Sequence, residues 1–420
     1  MTMAQVNRFD SDGRPPSAGT PSKGSCPTRH LLVTYDFPPI GGGIARLTGE
    51  LAKQYPARTL LVSTGCHPGS ASVDSQLPNQ VDRVGIRSTR LRTIQGLLLW
   101  SHRVRQLARD FNPRFVWCGN LKPAAFPALW LRRREGIPYG IMLYGSELLL
   151  LQHRIRTSPR KRAAAKMVLR HAAVLIAIST WTRRLCLEVL DELGCSADEI
   201  EVRTVPLGTD PMHFRPGLDT RTVRARYDLR EGRWLLTVAR LVAHKGIDTG
   251  LKVVAALREA HPDLQYAIVG SGSKQRELEA LARDIGVMDR VRFLTDVPDA
   301  DLPALYNCAE IYLGISRSEE LLIEGFGISL SEASACGVPV VGGRVGGIPE
   351  AVRDGETGLL VDSTDVHAVV ASVRSLLRDR QLSQRLGQAG RRAVEGYFNW
   401  DRVTADVQRI GEEFVRVVPS

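Results

Sequence analysis

Two kinds of hydrophobic pattern alternate along the chain. Residues 30–37 (HLLVTYDF) form an apolar run rich in strand formers, and residues 44–55 repeat apolar side chains at helical spacing on one face. The segment from Cys66 to Asn79, full of Ser, Pro and Gly, predicts a loop. Further strand-like runs lie at 59–64, 114–118, 174–179, 264–269, 291–297, 311–316 and 339–343, and helical patterns at 97–111, 124–134, 181–193 and 400–418. This alternation predicts an α/β fold with parallel sheets.

The most informative stretch runs from Glu319 to Gly347. A glycine-rich loop, Glu324 to Gly327, feeds a short helix that Gly337 and the following proline stop. The N-terminus of such a helix offers free backbone N–H groups and the positive end of its dipole, which suit a phosphate. Because carboxylates repel phosphate, Glu324 and Glu332 are better suited to sugar hydroxyls. Two glutamates at this spacing also occur by chance, but in this context they indicate a nucleotide sugar.

The chain has 420 residues, which exceeds one ordinary domain and suits two. Its apolar content of 43% supports full cores. We expect a disordered tail over residues 1–29, a first α/β domain over 30–215, a second over 216–398 and a C-terminal helix over 399–420. The tail lacks the apolar core of a secretory signal, and no run is long enough for a transmembrane helix.

The net charge of +11 is unevenly distributed. The first 208 residues carry about 29 basic and 15 acidic side chains, roughly +14, and the remainder roughly −3. Such a basic half could bind an anionic lipid surface, a phosphorylated acceptor or nucleic acid. Arginine used for solubility would explain the positive charge equally well. Residues 153–170 are the most basic stretch and predict either an amphipathic segment lying on an anionic membrane or a solvated helix face.

Seven scattered cysteines show no C-x-x-C pair and no Cys/His cluster with metal-ligand spacing. Reduced thiols and a cytoplasmic location are therefore expected.

The string E-G-F-G-I-x-x-x-E-A-x-A-C-G-x-P-V, which begins at Glu324, resembles the signature of retaining nucleotide-sugar-dependent glycosyltransferases. The segments V-G-G-I-P-E and D-G-x-T-G-L-L-V continue the match, and the motifs look closest to phosphatidylinositol mannosyltransferase-like enzymes. The resemblance implies two Rossmann-like domains facing across a cleft (GT-B), with a last helix crossing back to the first domain. It also implies that the nucleotide-sugar donor contacts Gly325, Phe326, Gly327, Ile328 and Glu332.

Three further motifs extend this resemblance. Gly42 and Gly43 lie in a P-P-x-x-G-G loop, which in the family separates donor diphosphate from acceptor. Arg240 and Lys245 match R-L-x-x-x-K-G, whose two cations hold the diphosphate. The turn of Gly270 and Gly272 lacks the third glycine of a dinucleotide fingerprint, and the family places it near the nucleotide. Candidates for holding the base are Thr295, Asp296 and Val297.

Tyr144 departs from the family pattern. The segment Tyr144-Gly145-Ser146-Glu147 aligns with an H-G-x-E element whose histidine contacts the donor sugar. A phenol titrates near pH 10 and cannot share a proton at neutral pH as imidazole does. We therefore expect Tyr144 to contact the sugar and not to act as a general base.

The resemblance implies transfer of a hexose from GDP-mannose or a UDP-hexose to an acceptor hydroxyl with retention. Glu324 would hold sugar hydroxyls, Glu332 the ribose, and Arg240 and Lys245 the diphosphate. Front-face attack, in which the departing phosphate takes the acceptor proton, needs no dedicated base. No metal or other cofactor is expected, because no D-x-D element occurs among these motifs.

The acceptor and its class stay open at this stage. A lipid-linked or anionic acceptor fits the basic first half, with peripheral attachment at the inner face of a membrane and no nucleic acid partner. A soluble natural-product acceptor, a nucleotide-sugar epimerase and a catalytically silent nucleotide-binding protein are the alternatives.

Overall fold

In the computed structural model of the protein, residues 28–195 and 199–416 are described. The predicted tail therefore lies, up to residue 27, outside the described part. The strands of the first domain are β1 (His30–Val33), β2 (Leu60–Cys66), β3 (Gln80–Arg87), β4 (Phe115–Cys118), β5 (Tyr139–Leu143), β6 (Val174–Ala177) and β7 (Glu201–Thr204). They form one parallel sheet in the order β3-β2-β1-β4-β5-β6-β7.

Helices cover both faces of this sheet. They are α1 (Gly43–Gln54), α2 (Ser70–Asp74), α3 (Ile94–Phe111), α4 (Ala125–Glu135), α5 (Gly145–Thr157), α6 (Pro159–Arg170) and α7 (Thr180–Glu192), with a 3-10 helix at Ser88–Arg92. The basic stretch at 153–170 thus falls on two helices. Ser158 caps the second of them and Pro159 occupies its first position, where a missing N–H costs nothing.

The second domain repeats the plan. Its strands are β8 (Arg233–Val238), β9 (Leu264–Val269), β10 (Val291–Leu294), β11 (Ile311–Gly314), β12 (Val340–Gly343) and β13 (Leu359–Val361). They pair in parallel in the order β10-β9-β8-β11-β12-β13. The helices are α8 (Arg221–Arg226), α9 (Ile247–Leu257), α10 (Gln275–Asp284), α11 (Leu302–Cys308), α12 (Ile328–Ala335), α13 (Ile348–Ala351), α14 (Val366–Arg378) and α15 (Arg380–Gly396), followed by α16 (Trp400–Arg416).

Two details differ from the sequence pattern. The segment 66–79, expected to be a loop, contains the short helix α2, and β3 was not predicted at all. β3 is the edge strand of its sheet, and its sequence QVDRVGIR mixes charged with apolar residues. Such a half-exposed strand lacks the continuous apolar run that marks the buried parallel strands.

Each sheet reverses its strand order once, between β1 and β4 in the first domain and between β8 and β11 in the second. In open parallel sheets, ligands bind in the crevice outside the carboxyl ends of the strands at such a reversal. The glycine loop of residues 41–43 follows β1, and the 3-10 helix Ala243–Lys245 follows β8. Both predicted phosphate elements therefore lie at reversal points.

The last helix joins the two halves. α16 packs against α1 and β4, and its Phe414 ring lies 6.4 Å from the ring of Phe115 in β4. Arg203 of β7 forms an ion pair with Glu413 at 2.6 Å. None of the helices in the described ranges has both the length and the apolar composition needed to cross a bilayer.

Candidate active site

The loop Glu324 to Gly327 ends at the N-terminus of α12. Gly327 occupies the N-cap position with φ +97° and has no side chain that could cap the helix. The following turn fixes this loop in place. Gly347 donates its N–H to the Glu324 carbonyl at 3.0 Å, and a Cβ on Gly346 would lie 2.1 Å from that same oxygen. The V-G-G-I-P-E segment is therefore the support of the glycine loop.

Lys245 and Glu324 form an ion pair, although 79 residues separate them in the chain. Their side chains are 17% and 22% exposed. Burial by itself would raise the pKa of Glu324, but the charge and hydrogen bond of Lys245, together with the charges of His244 and Arg240, hold that pKa below its ordinary value. The residues predicted for sugar and diphosphate thus meet at one point, with the carboxylate ionised.

Arg240 is exposed, and its charge also contributes to lowering the pKa of Glu324. The loop that carries Arg240 lies on the glycine turn after β9. A Cβ on Gly270 would lie 2.1 Å from the Ala239 carbonyl oxygen, and one on Gly272 would lie 2.4 Å from that of Leu241. These glycines therefore have a packing role, which is to let the two loops touch. Their expected proximity to a nucleotide stays a prediction.

Glu332 lies in the buried interior of the cleft wall. The Tyr306 hydroxyl donates to its Oε2 at 2.7 Å, and Arg46 of the first domain lies 3.7 Å from its Oε1. Burial raises the pKa of Glu332, while Arg46 and Tyr306 oppose that rise. Sequence reasoning missed both partners. Arg46 could have been noticed, because it lies in the first turn of the helix that follows the glycine loop.

Two helix N-termini approach each other across the cleft. Gly43 begins α1 and Ile328 begins α12, and a Cβ on Gly43 would lie 3.4 Å from the Ile328 Cδ1. Gly42, with φ +122°, has open space where its Cβ would be. The positive ends of two helix dipoles and their free N–H groups therefore converge, an arrangement that suits a diphosphate.

Tyr144 is buried, and its hydroxyl donates to the Gly119 carbonyl at 2.9 Å. Burial is the main cause that raises its pKa well above the ordinary value for a phenol. The phenolic proton is thus held by the protein, in keeping with the expectation that Tyr144 is not a base. Its predicted contact with the sugar stays a prediction.

The neighbouring Ser146 connects the first domain to Ile323, the residue before the glycine loop Glu324 to Gly327 of the second domain. Its Oγ donates to the Ile323 carbonyl at 3.0 Å and accepts from the Ile323 N–H at 3.2 Å. Thr180 likewise donates its N–H to Glu350 of the second domain at 2.5 Å. These contacts hold the two domains together beside Glu324, and no sequence motif predicts them.

The candidates for base binding follow β10. The Thr295 hydroxyl donates to the Asp296 carboxylate at 3.2 Å, and Gly270 donates its N–H to the Leu294 carbonyl at 2.8 Å. The segment therefore lies beside the glycine turn, and its role stays a prediction.

Comparison with known proteins defines the class. Residues 219–393 match the family model of glycosyl transferases group 1, and residues 42–208 match the glycosyl transferase 4-like domain. A solved structure of Anabaena HepE with UDP and glucose superposes with a TM-score of 0.73 at 19% identity, covering 93% of this chain and 100% of that one. This likeness confirms the expected GT-B fold of two facing α/β domains.

Curated relatives show the family. The chain is 33% identical over 379 residues to the GDP-mannose-dependent alpha-(1-6)-phosphatidylinositol monomannoside mannosyltransferase of Mycolicibacterium smegmatis, covering 88% of this chain and 94% of that enzyme. It is 35% identical over 259 residues to the D-inositol 3-phosphate glycosyltransferase of Acidothermus cellulolyticus, covering 59% and 55%. The chain belongs to the group 1 glycosyltransferases and is a hexosyltransferase.

Proposed function

We propose that the protein transfers a mannosyl residue from GDP-mannose to a hydroxyl of a lipid-linked glycan acceptor, with retention at the anomeric carbon. The observation that carries this proposal is the Lys245–Glu324 pair, which joins the 3-10 helix after β8 to the glycine loop before the N-terminus of α12. The choice of mannose and of a lipid acceptor is supported by the mycobacterial-type relative, whose likeness extends over both domains.

Donor binding follows from the charges of the site. The diphosphate lies between the N-termini of α1 and α12, with Arg240 and Lys245 beside it. Negative charge grows on the diphosphate as the glycosidic bond breaks, so these fixed positive groups stabilise the transition state more than the bound substrate. Lys245 then exchanges part of its interaction with Glu324 for the leaving phosphate.

Glu324 is the ionised acceptor of hydrogen bonds from the hexose hydroxyls. Glu332, buried against Tyr306 and facing Arg46, is suited to accept hydrogen bonds from the ribose and not to attack the anomeric carbon. The acceptor hydroxyl attacks from the side that the diphosphate leaves, and a phosphate oxygen receives its proton. No side chain has to serve as the base, which agrees with the high pKa of Tyr144.

A lipid-linked acceptor requires the first domain to approach a bilayer. Ile94, Leu98 and Leu99 project from the start of α3 and are 81%, 68% and 49% exposed. Basic side chains of α5 and α6 provide attraction to anionic head groups. We therefore propose peripheral association with an anionic bilayer, which sedimentation with anionic and neutral vesicles would measure. Equal binding to both kinds of vesicle, or none, would contradict it.

The proposed reaction is tested by measuring binding and slow hydrolysis of GDP-, UDP-, ADP- and TDP-hexoses. We expect GDP-mannose to be bound and hydrolysed, and Glu324→Ala to abolish the hydrolysis. Glu320→Ala is the matched control, because Glu320 is an exposed glutamate of the same segment. Preference for another donor would overturn the assignment of GDP-mannose, and hydrolysis that survives Glu324→Ala would overturn the role of Glu324.

A further inference from the structure

One side chain of the first domain reaches the second domain beside the carboxylate predicted to bind the ribose. Arg46 lies in the first turn of α1, and its Nη2 is 3.7 Å from Glu332 Oε1 and 3.6 Å from Asp299 Oδ2. The side chains of Arg46 and Glu332 are 27% and 6% exposed, whereas that of Asp299 is 80% exposed. Because charges interact more strongly where water is excluded, the pair of Arg46 with Glu332 is the stronger of the two.

The two oxygens of the Glu332 carboxylate have different surroundings. Tyr306 donates its hydroxyl to Oε2 at 2.7 Å, so this oxygen is held from within the second domain. Arg46 lies 3.7 Å from Oε1, which is an ion-pair distance and longer than a hydrogen bond. Arg46 therefore places a positive charge beside Oε1 without taking one of its lone pairs, and a ribose hydroxyl can use that lone pair.

The contact with Arg46 also affects the charge of Glu332. Burial is the main cause that raises the pKa of Glu332, and the charge of Arg46 is the largest contribution that opposes this rise. The Tyr306 hydrogen bond and His213 oppose it as well, and Asp299 adds to it. Other titratable or charged groups on the neighbouring elements include Glu50 of α1, Cys308 of α11, Tyr312 of β11, Cys336 at the end of α12, Glu350 of α13 and Arg391 of α15. A carboxylate accepts a stronger hydrogen bond than a neutral acid does, so the charge of Glu332 decides how strongly it binds a hydroxyl.

We propose that Arg46 is a positioning and specificity-determining residue for the donor: from the acceptor domain, it holds Glu332 as the carboxylate that recognises the ribose hydroxyls of a nucleoside diphosphate. Arg46 and Glu332 lie in different domains, so ribose binding and the facing arrangement of the two domains stabilise each other. The inference rests on the proposed function, because it takes Glu332 as the residue that binds the ribose.

The test compares the affinities for GDP and for 2′,3′-dideoxy-GDP, which lacks both ribose hydroxyls, by calorimetry between about pH 5 and pH 9. Where Glu332 is ionised, the wild type should bind GDP about 10- to 100-fold more tightly, as expected for a hydrogen bond to a charged acceptor. As pH falls through the pKa of Glu332, this preference should decrease to about 2- to 10-fold, the range for a neutral acceptor. Because Arg46 opposes the rise of that pKa, Arg46→Met should lose the preference at a higher pH than the wild type.

Three further variants separate charge from packing. Arg46→Lys keeps the positive charge and should largely restore the pH dependence of the wild type. Lys53→Met is the matched control, because Lys53 lies two turns further along α1, is 54% exposed and pairs with Glu50 at 3.8 Å and Asp210 at 3.6 Å. Glu332→Gln cannot ionise, so its preference should not depend on pH, and Arg46→Met should have no further effect in that background.

Several results would overturn the inference. Equal loss of affinity for both nucleotides in Arg46→Met would show that Arg46 acts on the diphosphate or on the fold, and an unchanged preference at every pH would show that it does not act on Glu332. A pH dependence that survives in Glu332→Gln would belong to His213 or to another group.

Failure of the proposed donor is distinguished from failure of this inference by the base. The choice of the wild type between GDP and UDP tests the proposed donor, and the ribose preference is measured with whichever of the two is bound and with its dideoxy form. A wild type that shows no ribose preference with that nucleotide would overturn the inference whichever base is bound.

Discussion

Replacing Lys245 by methionine removes one ammonium group from the centre of the site. Lys245 and Glu324 are each about four-fifths buried, so the stability of their pair lies between the 0–1 kcal/mol of a surface pair and the 3–5 kcal/mol lost on breaking a buried one. We therefore expect a loss of about 2 kcal/mol of unfolding free energy. Loss of one charge that stabilises the leaving diphosphate should also lower kcat by about 100- to 1000-fold.

The same substitution changes the pH profile. Lys245 is the main group that lowers the pKa of Glu324 against the opposing effect of burial. In its absence burial dominates, the pKa rises and Glu324 becomes protonated at a higher pH. The acid limb of kcat/KM should accordingly move to higher pH, since activity requires the carboxylate and is lost as pH falls through its pKa.

The assay is consumption of GDP-mannose between about pH 5 and pH 9. Lys252→Met is the control, because Lys252 is 46% exposed and lies 3.8 Å from the Asp248 carboxylate, outside the site. A Lys245→Met enzyme that keeps wild-type kcat would show that Lys245 does not stabilise the leaving diphosphate, and an acid limb at the wild-type pH would show that Lys245 does not lower the pKa of Glu324.

Three other substitutions probe the supports of the site. Tyr306→Phe removes the donor to buried Glu332 Oε2, and should cost about 1.5–3 kcal/mol in chemical unfolding and weaken nucleotide binding. Gly270→Ala places a methyl group 2.1 Å from the Ala239 carbonyl oxygen at φ +130°, and should lower the melting temperature and the affinity for diphosphate together. Tyr144→Phe, which removes the donor to a backbone carbonyl, should cost about 1–3 kcal/mol without removing a titrating group from the pH profile.

Each of these has its own contradicting result. Tyr306→Phe with wild-type stability would mean that the hydroxyl does not satisfy the carboxylate. An unchanged melting temperature in Gly270→Ala would show that the glycine turn after β9 does not touch the loop that carries Arg240. If the acid or alkaline limb of the pH profile shifts in Tyr144→Phe, the phenol does act in proton transfer.

Local pattern was sufficient for most of the fold. The run 30–37 and the periodic residues 44–55 correspond to β1 and α1, and the stop at Gly337 agrees with the end of α12. Apolar residues recur at different spacings in buried parallel strands and in amphipathic helices, so the sequence distinguishes the two kinds of element. The edge strand β3 was missed because its exposed face interrupts the apolar run.

The site was predictable only in part. The motifs identified Glu324 and Lys245 singly, but no local rule states that residues so distant in the chain form an ion pair. The contact of Arg46 with Glu332 depends on how the two domains face each other, which periodicity does not encode. The buried Asn120 Oδ1, which has no hydrogen-bond partner among the described residues, is likewise a feature of the folded chain that no local pattern shows.

The glycines show a related limit. The family pattern predicts that Gly270 and Gly272 lie near the nucleotide, and the structure gives each a packing reason for lacking a side chain. Gly42 is different, because its missing Cβ would face open space in the cleft. Sequence alone could not separate a glycine that admits a neighbouring loop from one that admits a ligand.

Transfer of mannose to the lipid with retention is tested most directly by following the sugar through one reaction. GDP-mannose labelled at the anomeric carbon is incubated with the enzyme and phosphatidylinositol monomannoside in vesicles, and the labelled carbon is followed by NMR. We expect release of GDP and an α-linked mannoside on the lipid, because α-linked GDP-mannose would react with retention. A β-linked product, a free epimer of the sugar, or intact GDP-mannose would contradict it.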